Sequence, residues 1–289
     1  VGPLTRTVQT FKELIVAQRF VYVAFVAALA VPAVAQAQLA DELTLPRPAN
    51  CCLLTSAVAL AEQLQDWNQL GRYHQANKEL MARPADPGRV VFIGDSITDG
   101  WRLEESFPGK PYVNRGISGQ TTAQMLVRFY PDVLALRPAA VVIFAGTNDI
   151  ARNNGPQTLE MVQHNIMAMT ELAQAHGVKV VLALVMPTSD RTMIPAGRGG
   201  GPAGPGAGAT PRPRIQSVQR PPADIARFNA WLKSYAAEKG AAIADYHSAT
   251  VDAQGFLREG ITGDGLHPNA QGYALMAPMA SAAIAQVLK

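Results

Sequence analysis

Arg89-Val90-Val91-Phe92-Ile93-Gly94-Asp95-Ser96-Ile97-Thr98-Asp99-Gly100-Trp101 runs four apolar residues into a Gly-Asp-Ser turn, then into polar residues able to open a helix. An unbroken apolar run of this length suits a parallel strand covered on both faces, and the turn presents Ser96 at the strand's carboxyl end. In open α/β sheets ligands bind at that end. Backbone N–H groups at a helix N-terminus favour negative charge, so Ser96 is a candidate nucleophile. The competing reading is that Ser96 only caps the helix, as Ser and Asp commonly do. A base, an orienting acid and oxyanion donors at other strand ends would separate the two.

Outward from this stretch, strand and helix patterns alternate. Tyr112-Val113-Asn114-Arg115-Gly116-Ile117-Ser118-Gly119 is a short strand leaving into a glycine-containing loop. A helix from Thr121 to about Leu136 follows, kinked or split by Pro131. Ala139 to Ala145 is a central strand stopping at Gly146-Thr147-Asn148-Asp149. Leu159 to His176 has helical periodicity closed by Gly177, and Val178 to Met186 is the next strand. Ile225 to Lys239 is helical, Ala241 to Tyr246 a last strand, and Asn269 to Leu288 a terminal helix. This alternation predicts an α/β fold, a doubly wound parallel sheet of about five strands flanked by helices.

Pro187 to Pro222 breaks the pattern. Its Gly/Pro/Arg-rich middle, from about residue 190, cannot supply a core, and it reads as a tolerated low-complexity insertion. A lid over the ligand side of the sheet is the competing interpretation.

The 289 residues are 48% hydrophobic and 16% charged, which suits one domain with extensions and excludes a disordered chain. A net charge of +3 is too mild for a nucleic-acid-binding face. Lys12 and Arg19 precede an apolar run from Phe20 to Val34 that ends in Ala35-Gln36-Ala37. Residues 1–37 therefore read as an export signal, too short for the roughly 20 apolar residues of a membrane span. An uncleaved anchor is the alternative. Removing that segment leaves 22 basic and 21 acidic residues. The expected location is secreted or periplasmic, with no membrane span after cleavage. Residues 38–88 read as a linker followed by one or two helices between Thr55 and Met81, and Pro84-Ala85-Asp86-Pro87-Gly88 launches the first strand. The adjacent Cys51 and Cys52 cannot form an ordinary disulfide with each other and have no partners at zinc-ligand spacing. No metal or other cofactor is expected, and no sequence pattern assigns an oligomeric state.

The base and acid candidates lie in Gly263-Asp264-Gly265-Leu266-His267-Pro268-Asn269, before the terminal helix. Asp264 and His267 can share one turn, the carboxylate holding the imidazole while its other nitrogen takes the serine proton. His74, His164 and His176 fall in helical patterns, and His247 lacks an acid at this spacing. Asp245 is the competing triad acid. Gly116 offers an unencumbered N–H and Asn148 a side-chain amide, which with the Ser96 N–H could converge on an oxyanion. Taken singly, Gly116 is a turn glycine and Asn148 an Asx-turn residue.

In order, Gly94-Asp95-Ser96, Gly116, Gly146-Thr147-Asn148-Asp149 and Asp264-x-x-His267 resemble the four blocks of the SGNH (GDSL-type) serine hydrolases over residues 89–289. The first two blocks, with their flanking residues, are similar to the branch of platelet-activating-factor acetylhydrolases and lysophospholipase-like esterases. The resemblance implies Ser96 as nucleophile, His267 as base and Asp264 as its partner. It also implies an oxyanion hole from Ser96, Gly116 and Asn148, no metal, and a small-molecule ester as substrate. Members act on simple carboxylesters, lysophospholipids, thioesters and acetylated sugars. The insertion departs from a compact family core.

Two other readings remain. A conventional α/β-hydrolase elbow needs G-x-S-x-G, and position 98 is Thr. A secreted carbohydrate- or lipid-binding module on the same fold would have no need of all four reactive positions.

Overall fold

Strand β1 (Val90–Gly94) is buried at every position, as its unbroken apolar sequence requires. In the computed structural model, which describes residues 66–194, 212–213 and 215–289, its side chains alternate between two cores. Val91 and Ile93 join one with Met125, Phe129, Val162 and Phe228. Val90 and Phe92 join the other with Trp101, Phe107, Tyr246 and Met276. Covered on both faces, the strand has no polar side to show.

Strands β2 (Tyr112–Gly116), β3 (Ala140–Phe144) and β4 (Lys179–Ala183) pair in parallel with β1 or with each other. The short ribbon β5 (Met193–Ile194) and β6 (Arg212–Pro213) is antiparallel. Strand β7 (Ala242–Ala244) completes the main sheet, whose order is β2-β1-β3-β4-β7. The chain steps from β1 outward to β2, then returns to β3 on the other side of β1. That reversal opens a crevice at the carboxyl ends of β1 and β3, where the Gly-Asp-Ser turn lies.

The helices are α1 (His74–Met81), α2 (Ser96–Asp99), α3 (Leu103–Ser106), α4 (Thr122–Val127) and α5 (Phe129–Asp132), followed by α6 (Thr147–Ile150), α7 (Leu159–Ala175), α8 (Pro222–Lys239), α9 (Tyr246–Thr250) and α10 (Ala270–Val287). The helix expected over Thr121–Leu136 is split into α4, α5 and a 3₁₀ turn, Leu134–Leu136. Pro131 has no N–H for the carbonyl of Val127, four residues back, and α4 ends at Val127. Helix α8 begins at Pro222, three residues before the expected start, because proline suits the first helical position. The strand expected over Val178–Met186 keeps ladder geometry only to Ala183. Beyond it the Asn229 side chain takes both the N–H and the C=O of Val185.

The export signal at 1–37, the linker, both cysteines, the start of the helical extension and residues 195–211 and 214 of the insertion lie outside the described residues. Residues 66–81, the described part of the extension, pack on the β2 end of the sheet. Arg115 lies over the Tyr73 ring and bonds Asn77 Oδ1 at 2.9 Å.

Candidate active site

Ser96 opens the one-turn helix α2, and Asp95 caps it by accepting from the Ile97 N–H at 3.0 Å. The capping assigned to Ser96 by the competing reading is thus done by its neighbour, which leaves the Ser96 hydroxyl free for another partner. That partner is His267. Ser96 Oγ lies 2.8 Å from His267 Nε2, and His267 Nδ1 lies 2.7 Å from Asp264 Oδ2. The other Asp264 oxygen accepts from the backbone N–H groups of Leu266 and His267 at 3.0 and 2.8 Å. A carboxylate fixed at both oxygens can hold one imidazole orientation and tautomer. Burial works to raise the Asp264 carboxyl, but bonds from the His267 ring and backbone and the nearby imidazole outweigh it, holding it well below the ordinary carboxylate range. Asp245, the competing acid, is occupied elsewhere. It caps α9 through Ser248 and faces Lys233.

The Asp264–His267 turn is shaped by Gly265, at φ +82°, where a Cβ would lie 2.2 Å from the Ser189 carbonyl. Ser189 N–H in turn donates to the Gly265 carbonyl at 2.8 Å. Only glycine allows both the backbone conformation and this close approach.

Of the expected oxyanion donors, the structure sets Gly116 apart. Its N–H donates to Asn114 Oδ1 at 2.8 Å, and its carbonyl accepts from the Tyr73 hydroxyl. A Cβ there would sit 2.0 Å from the Asp99 N, so this glycine serves the packing of β2 against α2. Three residues on, Gly119 is half-buried, and its N–H has no acceptor among the described residues. Its neighbours are fixed: Ser118 N–H bonds Asp99, and Gln120 N–H bonds the Ile117 carbonyl. Gly119, not Gly116, carries the open donor of this loop. The Asn114 side chain two residues before Gly116 is the sequence signal for this, an Asx-type bond that consumes the Gly116 N–H.

Asn148 is buried in α6. One amide N–H donates to the Gln120 carbonyl at 3.1 Å, adjoining Gly119, and Oδ1 accepts from Asn153 at 2.9 Å and Arg220 at 3.3 Å. These bonds orient the amide and leave its second N–H for a ligand. Both ends of the insertion reach this region. Ser189 lies at one end, and Gln216 and Arg220, 3% and 5% exposed, lie at the other. The insertion is therefore not filler throughout: the end leading into α8 is packed because its polar side chains find buried partners. Sequence composition, dominated by the Gly/Pro-rich middle, hid this.

A groove of about 750 Å3 runs between Trp101–Ser106 and α10, but none of Ser96, Asp264 and His267 lines it. Among the described residues no cluster of His, Cys, Asp and Glu could hold a metal ion.

Two buried carboxyls flank the site. Burial pushes Asp95 and Asp149 up to about 6, against hydrogen bonds that favour their charged forms. Folded Asp149 therefore keeps its proton across a window, about pH 4 to 6, in which the unfolded chain has lost it. This contribution to stability is present below the window and is lost as pH rises through it. The unfolding free energy of the parent minus that of Asp149→Asn is expected to fall by about 1–3 kcal/mol between pH 4 and 7. Denaturant titrations across that range measure it, and a difference that rises with pH would reverse the assignment.

The chain is similar to several known proteins. A family model described as the GDSL-like lipase/acylhydrolase family matches residues 92–275. A solved structure from Bacteroides fragilis, assigned as an acylhydrolase, superposes with a TM-score of 0.65 at 38% identity, covering 78% of this chain and 99% of that one. The esterase TesA of Pseudomonas aeruginosa is 33% identical over 117 residues, 36% of this chain and 57% of TesA. The uncharacterised lipoprotein YqeF of Bacillus subtilis is 35% identical over 117 residues, 34% of this chain and 48% of YqeF. The chain spans about half the length of these two curated relatives.

Proposed function

The chain belongs to the GDSL-like lipase/acylhydrolase family, and from that premise we propose that it is a serine esterase hydrolysing carboxylic esters through an acyl-enzyme on Ser96. The observation that carries the reading is the continuous Ser96–His267–Asp264 hydrogen-bond chain, with distances of 2.8 and 2.7 Å. Ser96 Oγ attacks the ester carbonyl carbon as His267 Nε2 takes the hydroxyl proton, and Asp264 stabilises the imidazolium. The carbonyl oxygen becomes an oxyanion, met by the Ser96 N–H, the Gly119 N–H and the free N–H of Asn148. Collapse breaks the bond to the alcohol, which leaves with the proton from His267. Water then attacks the acyl group, His267 takes its proton, and that proton returns to Ser96 Oγ as the acid departs.

The family assignment and the esterase TesA support the choice of carboxylic esters. We further place the protein outside the cytoplasm, on the export pattern of residues 1–37 and the likeness to a lipoprotein. Among the described residues no helix is long and apolar enough to cross a membrane.

Hydrolysis of p-nitrophenyl esters from acetyl to palmitoyl tests the proposal. Turnover that peaks at one chain length is expected. Absence of turnover at every length would favour a binding module. On the best ester, Asn148→Ala is expected to lose about 10²- to 10³-fold in kcat with a smaller change in KM, because the amide N–H bonds the substrate oxygen fully only once it becomes an oxyanion. An unchanged kcat would remove Asn148 from the mechanism.

A further inference from the structure

Gln216 and Arg220 belong to the insertion, yet their side chains join the two halves of the site. Arg220 Nε donates to Thr147 Oγ1 at 3.0 Å and Nη2 to Asn148 Oδ1 at 3.3 Å. Its Nη1 donates to Gln216 Oε1 at 3.2 Å and Gln219 Oε1 at 3.4 Å. Gln216 Nε2 then donates to the Asp264 carbonyl at 3.0 Å. A continuous path of hydrogen bonds thus runs from the turn carrying the base, through the insertion, to the amide of α6.

We propose that Arg220 is a positioning residue for the oxyanion donor Asn148, and that Gln216 locks it to the Asp264–His267 turn. This deepens the esterase reading and rests on Asn148 being a donor in that reaction.

Three physical effects favour the role. An amide group can rotate to exchange its oxygen and nitrogen, and a cationic donor on Oδ1 opposes that exchange, since the flipped Nδ2 would face the guanidinium. A positive charge on Oδ1 also draws electron density from the amide, making its N–H groups stronger donors to a developing negative charge. Finally, a planar fork can meet Thr147, Asn148 and Gln216 at fixed angles, which a lysine ammonium cannot. The Asn153 bond to the same oxygen is neutral and comes from a half-buried side chain, so it supplies orientation without charge.

The test is a double-mutant cycle between Arg220→Ala and Asn148→Ala, read as kcat and KM on the best p-nitrophenyl ester. Arg220→Ala is expected to lower kcat by about 10- to 100-fold, with KM within about threefold, the scale on which misplacing one group acts. In the Asn148→Ala background the same substitution is expected to cost less than about threefold, because the group it positions is gone. Guanidinium added to Arg220→Ala is expected to restore part of kcat, and to restore nothing once Asn148 is also absent. Gln216→Leu, which keeps the side-chain volume and Arg220, supplies a second variant should Arg220→Ala fail to fold. It is expected to show a smaller kcat loss with the same dependence on Asn148.

Equal losses in both backgrounds would overturn the proposal and leave Arg220 a structural residue, with the role of Asn148 intact. An Asn148→Ala variant of full kcat would overturn both together.

Discussion

Ser96→Ala lowers kcat by about 10⁵- to 10⁶-fold on any ester the parent hydrolyses, and His267→Ala costs nearly as much. The reason is that the two side chains act as one unit. In the proposed mechanism Ser96 Oγ is nucleophilic only while His267 Nε2, 2.8 Å away, can take its proton. The double variant is accordingly expected to be no slower than either single variant, whereas independent contributions would multiply. The unfolding midpoint of Ser96→Ala should stay close to that of the parent, since only one half-buried hydrogen bond is lost. Rates are best compared by single turnover on purified protein, with the Ala variant prepared separately to avoid contamination. A Ser96→Ala enzyme retaining more than about a thousandth of kcat would falsify the nucleophile. Losses that multiply in the double variant would separate the two residues' roles.

Arg128→Met should destabilise the fold by about 3–5 kcal/mol, enough to lower Tm by roughly 6–20 °C in a domain of this size. Arg128 is fully buried, and its guanidinium bonds Asp132 at 3.0 Å, the Gly94 carbonyl at 3.0 Å and the Arg115 carbonyl at 2.7 Å, with Gln120 taking Nε. It therefore ties the end of β1, just before Ser96, to the end of β2 and to the residue after Gly119. Removing it takes the cation from the buried Asp132 carboxylate, which keeps only the neutral Asn77 amide, and takes the donor of the buried Gln120 Oε1. It also removes a second donor from the Gly94 carbonyl, which keeps the Ile117 N–H. If the ion pair were the whole effect, Arg128→Met with Asp132→Leu would recover the loss. We expect less than about half to return, because the buried Gln120 Oε1 still lacks its donor and the Gly94 and Arg115 carbonyls still lack the guanidinium. Full recovery of Tm in the double variant would assign the stability to Asp132 alone. The same loosening should lower kcat at temperatures where Arg128→Met remains folded, since both the nucleophile turn and the Gln120 segment hang on this side chain.

What could be read in advance followed from local rules. The runs Val90–Ile93 and Ala139–Ala145 admit little besides buried parallel strands, and the five-stranded sheet follows from their alternation with helices. The Asp264–His267 spacing fits one turn, and a single turn is a local structure. By contrast the run Val178–Met186 reports burial, whereas ladder pairing depends on what lies alongside. There Asn229, from a helix distant in sequence, replaces a strand as the partner of Val185. Gly116 and Gly119 show the same limit. Both are glycines in one loop, and which N–H is open depends on Asn114 and on the approach of α2.

The sequence by itself determined the sheet, the family blocks and the reactive residue types, because periodicity, turn chemistry and short spacings are properties of neighbours along the chain. Only the tertiary structure decided that Ser96 meets His267 across 171 positions, that Gly119 holds the open donor, and that Gln216 and Arg220 link the insertion to both halves of the site. Those are contacts between segments that no local rule relates. They arise where strand ends converge, and convergence is set by the packing of the whole sheet.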